Sequence, residues 1–181
     1  MRIFQKVSQA LCVTLLWCTC TTLSAQNEKP RIRNIVLVHG AWANGSEWRG
    51  VYEILVKDGF NVSIVQEPET SFQDDVTSVK RTLALQDGPV ILVAHSYGGA
   101  VITEAGNHPS VVGLVYIAAH MPDAGENESD HGKRFPSDLA KSIAIKKTSD
   151  GFTYLDPAQF HEFFAADLPP GKLRSWPVRK C

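Results

Sequence analysis

Four short apolar runs set the framework of this chain. Asn34–Val38, Val90–Ala94 and Val111–Ala118 are nearly unbroken apolar runs, and Asn61–Val65 is a further strand-like run with Val62, Ile64 and Val65. Runs of that length and texture fit strands buried on both faces of a parallel sheet. Between them the period changes. Trp48, Val51, Tyr52, Leu55 and Val56 recur at the spacing of one helical face, with Ser46 as a candidate N-cap and Gly59 as a C-cap. Phe72, Val76, Val79 and Leu83 form a second stripe, opened by Ser71-Phe72-Gln73-Asp74, a capping box with Asp in place of Glu. Ala100 to Gly106 reads as a third helix, stopped by Pro109. Strands alternating with helices predict an α/β fold: a parallel sheet, right-handed crossovers and helices on both faces.

From Met121 the pattern changes. Pro122 to Lys133 is polar and acidic with no apolar period, and Pro136 to Lys147 predicts a short helix. Thr148 to Leu155 predicts a hairpin around Ser149-Asp150-Gly151, and Pro157 to Ala166 a helix with Phe160, Phe163 and Phe164 on one side. Residues 30–120 are therefore read as the core and 121–168 as a cap laid over a site. Residues 169–181 hold Lys172, Arg174, Arg179 and Lys180, no acid and no usable period, and are read as a disordered tail.

The N-terminus is read as an address. Arg2 and Lys6 precede an apolar stretch, Val7 to Leu23, and Thr22-Leu23-Ser24-Ala25 ends in small residues before the polar Gln26-Asn27-Glu28-Lys29. This is the pattern of a signal peptide over residues 1–25, which predicts a secreted or periplasmic chain. The alternative, a membrane anchor, fits less well, because Thr14, Thr19, Thr21 and Thr22 interrupt a run already short for a spanning helix. Three of the four cysteines, Cys12, Cys18 and Cys20, lie in that leader and only Cys181 remains, so neither an internal disulfide nor a thiolate zinc site is expected. Cleavage would remove Arg2 and Lys6, taking 18 Lys+Arg against 19 Asp+Glu to 16 against 19. A slightly acidic chain of this kind argues against a nucleic-acid or anionic-membrane partner. No G-x-G-x-x-G follows the first strand, which argues against a nicotinamide cofactor.

The chemistry concentrates at two strand ends. Ala94-His95-Ser96-Tyr97-Gly98 follows an apolar strand and opens a helix, the context of a nucleophile elbow, with Ala94 where the first Gly of G-x-S-x-G usually stands. An ordinary loop serine between small residues is the competing reading of those five positions. In such an elbow, residues two before and two after the serine must be small, because the turn brings strand and helix together. Acyl transfer also needs an oxyanion hole. The backbone N–H of Tyr97 is one candidate donor, and that of Ala41, after His39-Gly40 at the end of the first strand, is the other. His39-Gly40 alone also fits a tight strand-to-loop turn.

Taken together, VLVHGAWANGSEW, ILVAHSYGGAVITEAG and LVYIAAHMPDAGE resemble the α/β-hydrolase family, and within it the branch of small bacterial esterases related to plant methylesterases and hydroxynitrile lyases. The likeness runs from about Asn34 to Leu168. The resemblance implies a Ser–His–Asp triad, a helical cap after the fourth strand, a small carboxylic ester as substrate, and neither metal nor organic cofactor. It puts Ser96 on the nucleophile, Ala41 and Tyr97 on the oxyanion donors and Trp42 on the pocket wall. His120 follows the fourth strand, at the strand ends where ligands bind, and is a candidate substrate-binding residue. The family's later strands, with the triad Asp and His, have no counterpart after the cap, so a truncated hydrolase fold is expected. None of His95, His108, His120, His131 and His161 stands out as a general base, and Asp123 is a conceivable acid with no positioned His to orient. A lyase on the same scaffold and a catalytically inactive remnant are the rival readings.

Overall fold

The computed structural model describes residues 31–169, so the expected leader and nearly all of the basic tail lie outside the described residues. Four parallel strands form one sheet in the order β2-β1-β3-β4: β1 (Asn34–Val38), β2 (Asn61–Ile64), β3 (Val90–Ser96) and β4 (Val111–Ala119). β3 runs two residues beyond the apolar run that signals it, carrying pairing with β4 through His95 and Ser96.

Alternation along the strands separates two cores. Val36, Val38, Val90, Leu92 and Ala94 face α2 (Phe72–Leu83) and α3 (Gly98–Ala105), where Val76, Val79, Leu83, Val101 and Ile102 are fully buried. Ile35, Leu37 and Val93 face the other way, toward Trp48 and Leu55. α1 (Arg49–Lys57) covers that second face thinly, since none of its own residues is buried and Val51, Tyr52 and Val56 remain exposed. The anticipated five-residue core stripe is thus reduced to Trp48 and Leu55. Its N-cap also differs: Asn44, not Ser46, caps the preceding 3-10 turn, Gly45–Trp48, by accepting the Ser46 N–H at 2.9 Å. Ser71 caps α2 as expected, accepting the Asp74 N–H at 3.1 Å.

β4 lies at the sheet edge among the described residues, with Val112, Leu114, Val115 and Ile117 exposed. Beyond it come α4 (Glu128–Arg134), α5 (Asp138–Lys141), an antiparallel hairpin of β5 (Ile145–Lys147) and β6 (Thr153–Leu155), and α6 (Phe160–Phe164). The polar stretch that carries no apolar period contains α4, held by Asn127, whose side chain accepts the Asp130 N–H, and by the Arg134–Glu126 ion pair. The helix expected through Lys147 stops at Lys141, because Ile145–Lys147 pairs with Thr153–Leu155 around Gly151 at φ +100°. A small third core joins this cap to the domain: Leu155, Phe160 and Ala165 pack with Trp42.

Leu92, fully buried in a central strand, and Leu85, 83% exposed, give a paired test of this packing. Leu92→Ala is expected to cost roughly 2–5 kcal/mol and Leu85→Ala less than about 0.5 kcal/mol, read from urea unfolding midpoints.

Candidate active site

Ser96 ends β3 with φ +50°, a left-handed backbone that a residue with a side chain adopts only under constraint. The constraint is visible in the next three residues. Tyr97 caps α3, and Gly98 and Gly99 begin it. A Cβ on Gly98 would lie 2.5 Å from the His39 carbonyl oxygen, and one on Gly99 would lie 2.2 Å from that of His120. α3 therefore starts wedged between the ends of β1 and β4, and the chain must reverse sharply at Ser96 to enter it. Ala94, two residues before, is fully buried in the core.

The oxyanion candidate loop meets this turn edge-on. A Cβ on Gly40 would stand 2.9 Å from Ser96 Cβ and 3.1 Å from His95 Nδ1, so Ala41 follows a backbone in contact with the Ser96 turn. Trp42 turns away with φ +62° and donates its indole N–H to Thr153 Oγ1 at 2.9 Å, tying the loop to the cap hairpin.

Ala41, Trp42, Ser96, Tyr97 and His120, the five residues singled out from sequence, all line one cavity of about 1130 Å³. Phe72, Phe135, Phe152, Phe163, Phe164, Leu139 and Ile145 supply much of the remaining wall. His95 lines it too. Strict alternation would send its side chain away from Ser96, but a register shift between His95 and Ser96 relaxes that alternation. His120 donates its backbone N–H to the Ser96 carbonyl at 3.0 Å, and its Nδ1 lies 2.9 Å from Nδ1 of His131 on α4. His108, by contrast, bonds Ser110 Oγ at 2.8 Å, and His161 Nε2 contacts the Leu168 carbonyl at 2.9 Å. Among the described residues no imidazole is hydrogen-bonded to Ser96 Oγ, and no cluster of three His, Cys, Asp or Glu side chains is arranged for a metal ion.

Behind the loop sits a buried acidic group that the sequence did not signal. Tyr97 donates its hydroxyl to Asp75 Oδ2 at 2.7 Å, and Asp75 Oδ1 accepts the Glu69 N–H at 2.8 Å. The Glu67 N–H donates to His39 Nε2 at 3.1 Å, which leaves the ring proton of His39 on Nδ1. That Nδ1 faces the Gly40 carbonyl at 3.0 Å and Glu67 Oε2 at 3.4 Å. Because His39 accepts at Nε2, the His39–Glu67 contact is a polar contact of a neutral ring rather than an ion pair. Burial, followed by the nearby Asp75, Glu69 and Glu47 carboxylates, pushes Glu67 up to about 9. Glu67 is thus a neutral acid at pH 7. In sequence it stands in Gln66-Glu67-Pro68-Glu69, which reads as an exposed polar loop. Only the packing of that loop under His39 buries it.

The chain belongs to the alpha/beta hydrolase family, whose model matches residues 35–180. It is similar to a carbendazim hydrolyzing esterase of Nocardioides sp. (strain SG-4G), with 36% identity covering 52% of this chain and 45% of that protein. It is also similar to a probable hydrolase R7 of Phoma sp., with 27% identity over 74% of this chain and 59% of the relative. The chain thus spans about half the length of these curated relatives. Among solved structures, a pyrethroid hydrolase from Sphingobium faniae JZ-2 superposes with TM-score 0.61 at 24% identity, covering 81% of this chain and 64% of that one. Tomato methylketone synthase I in complex with 2-tridecanone gives TM-score 0.68 at 19% identity, with 79% and 64% covered. These structural likenesses show the fold.

The state of Glu67 has a consequence for stability. Its folded value lies above its ordinary 4.5, so the folded chain keeps a proton that the unfolded chain releases between about pH 4.5 and pH 9. Stability therefore falls as pH rises through that window, by at most ~1.4 kcal/mol per pH unit from this group. Urea midpoints measured between pH 5 and pH 9 should fall more steeply in the parent than in Glu67→Gln, where the amide mimics the neutral acid.

Proposed function

We propose that this chain carries the nucleophile and oxyanion hole of a serine hydrolase acting on small, largely apolar carboxylic esters. Ser96 Oγ attacks the acyl carbon, and the resulting oxyanion is held by the N–H groups of Ala41 and Tyr97. The alcohol departs, and water then releases the acid. Trp42 and His120 border the substrate, and no metal or organic cofactor is needed for these steps. The observation that carries the reading is the left-handed Ser96 at a strand-to-helix turn, opening on a cavity with aromatic walls. The esterase and hydrolase names of the relatives agree with it. The proton of Ser96 must pass to a base. Among the described residues no imidazole is hydrogen-bonded to Ser96 Oγ. The aromatic and aliphatic lining of the cavity also suits a second reading, a chain that binds small apolar ligands without turnover.

A fluorophosphonate probe separates the two. Covalent labelling of the folded protein, abolished by Ser96→Ala, supports the hydrolase; folded protein that takes up no label supports the binding reading. The oxyanion assignment has its own test. Ala41→Gly keeps the donor and should preserve labelling within a few-fold, whereas Ala41→Pro deletes it and should lower the rate by about 10²-fold or more.

The proposal extends to location: a chain secreted or delivered to the periplasm after residues 1–25 are removed. Mass spectrometry of periplasmic material should find an N-terminus near Gln26. An intact Met1 in the membrane fraction would oppose export by this route.

A further inference from the structure

We infer that Glu47 is a positioning residue, a carboxylate clasp that fixes the oxyanion loop against the Ser96 turn. The inference rests on the reading of Ala41 and Ser96 given above. Glu47 Oε1 accepts the backbone N–H of Gly40 at 3.2 Å, and Oε2 lies 3.4 Å from His95 Nδ1. Gly40 immediately precedes Ala41, and His95 immediately precedes Ser96. One side chain therefore hydrogen-bonds the residue before the proposed donor and touches the ring of the residue before the proposed nucleophile.

The geometry suits this role in three ways. The Glu47 side chain is only 7% exposed, so its hydrogen bond to Gly40 is shielded from competing water. Its backbone is fixed as well: Glu47 N–H donates to the Asn44 carbonyl at 3.0 Å within the 3-10 turn that Asn44 caps. Finally, the gap it bridges is close to its minimum, because the Gly40 Cα has no room for a Cβ beside Ser96 and His95. A loop that close to the reacting oxygen has little tolerance for drift. An oxyanion donor acts over about 2.7–3.1 Å, so a displacement of 1 Å removes most of its effect. Gly40 supplies the closeness, and Glu47 supplies the restraint on its N–H.

The test uses the full chain with Glu47→Ala and Glu47→Gln, and two readouts. Hydrogen exchange is followed at the Gly40 and Ala41 amides, with the β3 amides as internal reference. The kinetics of fluorophosphonate labelling are followed as a maximal rate and an apparent affinity. Glu47→Ala should speed exchange at Gly40 and Ala41 at least tenfold relative to β3. It should lower the maximal labelling rate at least tenfold and leave the probe's apparent affinity within threefold. Glu47→Gln keeps a carbonyl oxygen for the Gly40 N–H and should restore both to within threefold of the parent. A parent protein that takes no label overturns the reading of Ser96 and leaves exchange to decide the clasp. Exchange in Glu47→Ala within twofold of the parent overturns the clasp itself, as does a Glu47→Gln variant no better than Glu47→Ala. If Glu47→Ala fails to fold, judged by its urea transition, the Gln variant decides. Its Gly40 exchange must then match the parent, and a tenfold rise would refute the role.

Discussion

The tight fit of α3 between the ends of β1 and β4 governs the whole site. Two consecutive glycines, Gly98 and Gly99, let backbone meet backbone at the His39 and His120 carbonyls. Either Cβ would have to overlap an oxygen that is part of a strand end and cannot easily move. The chain must therefore leave β3 and enter α3 within a single residue, and Ser96 absorbs the turn at φ +50°. Strain of order 1–3 kcal/mol at such a residue persists only when its surroundings over-determine it. Here the paired strands on either side of β3 and the buried α3 do so.

The same wedge organises what surrounds Ser96. Gly40 can approach its Cβ because β1 ends level with it. Tyr97, forced to the start of α3, sends its hydroxyl back to Asp75 on α2, so the helix start is pinned from a second direction. Glu67 and His39 fill the space beneath, as a neutral acid beside a ring whose Nε2 already accepts a hydrogen bond. Over the open side lies a cap with its own small core, connected through Trp42. The cavity therefore lies between the strand ends and a cap that meets them through Trp42, His120–His131 and His95–Phe164.

Much of this was legible from residue order. Apolar runs rich in Val, Ile and Leu identify β1, β3 and β4, as strands buried on both faces require, while the edge strand β2 mixes Asn61 and Ser63 with Val62 and Ile64. The turn at Ser96 and Tyr97 follows from a motif whose spacing the strand-to-helix reversal dictates, and the loop at Ala41 from the His39-Gly40 pair that ends β1. The less legible parts depend on contacts between distant segments. Glu67 reads as a surface acid until the 66–69 loop packs beneath His39. Glu47 reads as a helix-face residue until its carboxylate meets Gly40. Ile145–Lys147 looks helical in isolation, and only pairing with Thr153–Leu155 makes it a strand. α4 has no apolar stripe because capping and an Arg134–Glu126 pair, rather than burial, hold it. Strand β3 outran its apolar signal for a related reason: His95 and Ser96 pair with β4 while their side chains face the cavity rather than the core.

The most direct measurement is a crystal structure of the protein after reaction with a small dialkyl p-nitrophenyl phosphate. Phosphorus bonded to Ser96 Oγ is expected, with the phosphoryl oxygen about 2.7–3.1 Å from the backbone nitrogens of both Ala41 and Tyr97. A phosphoryl oxygen directed away from those two nitrogens, or an adduct on any residue other than Ser96, would contradict the assignment of this turn and loop as one catalytic unit.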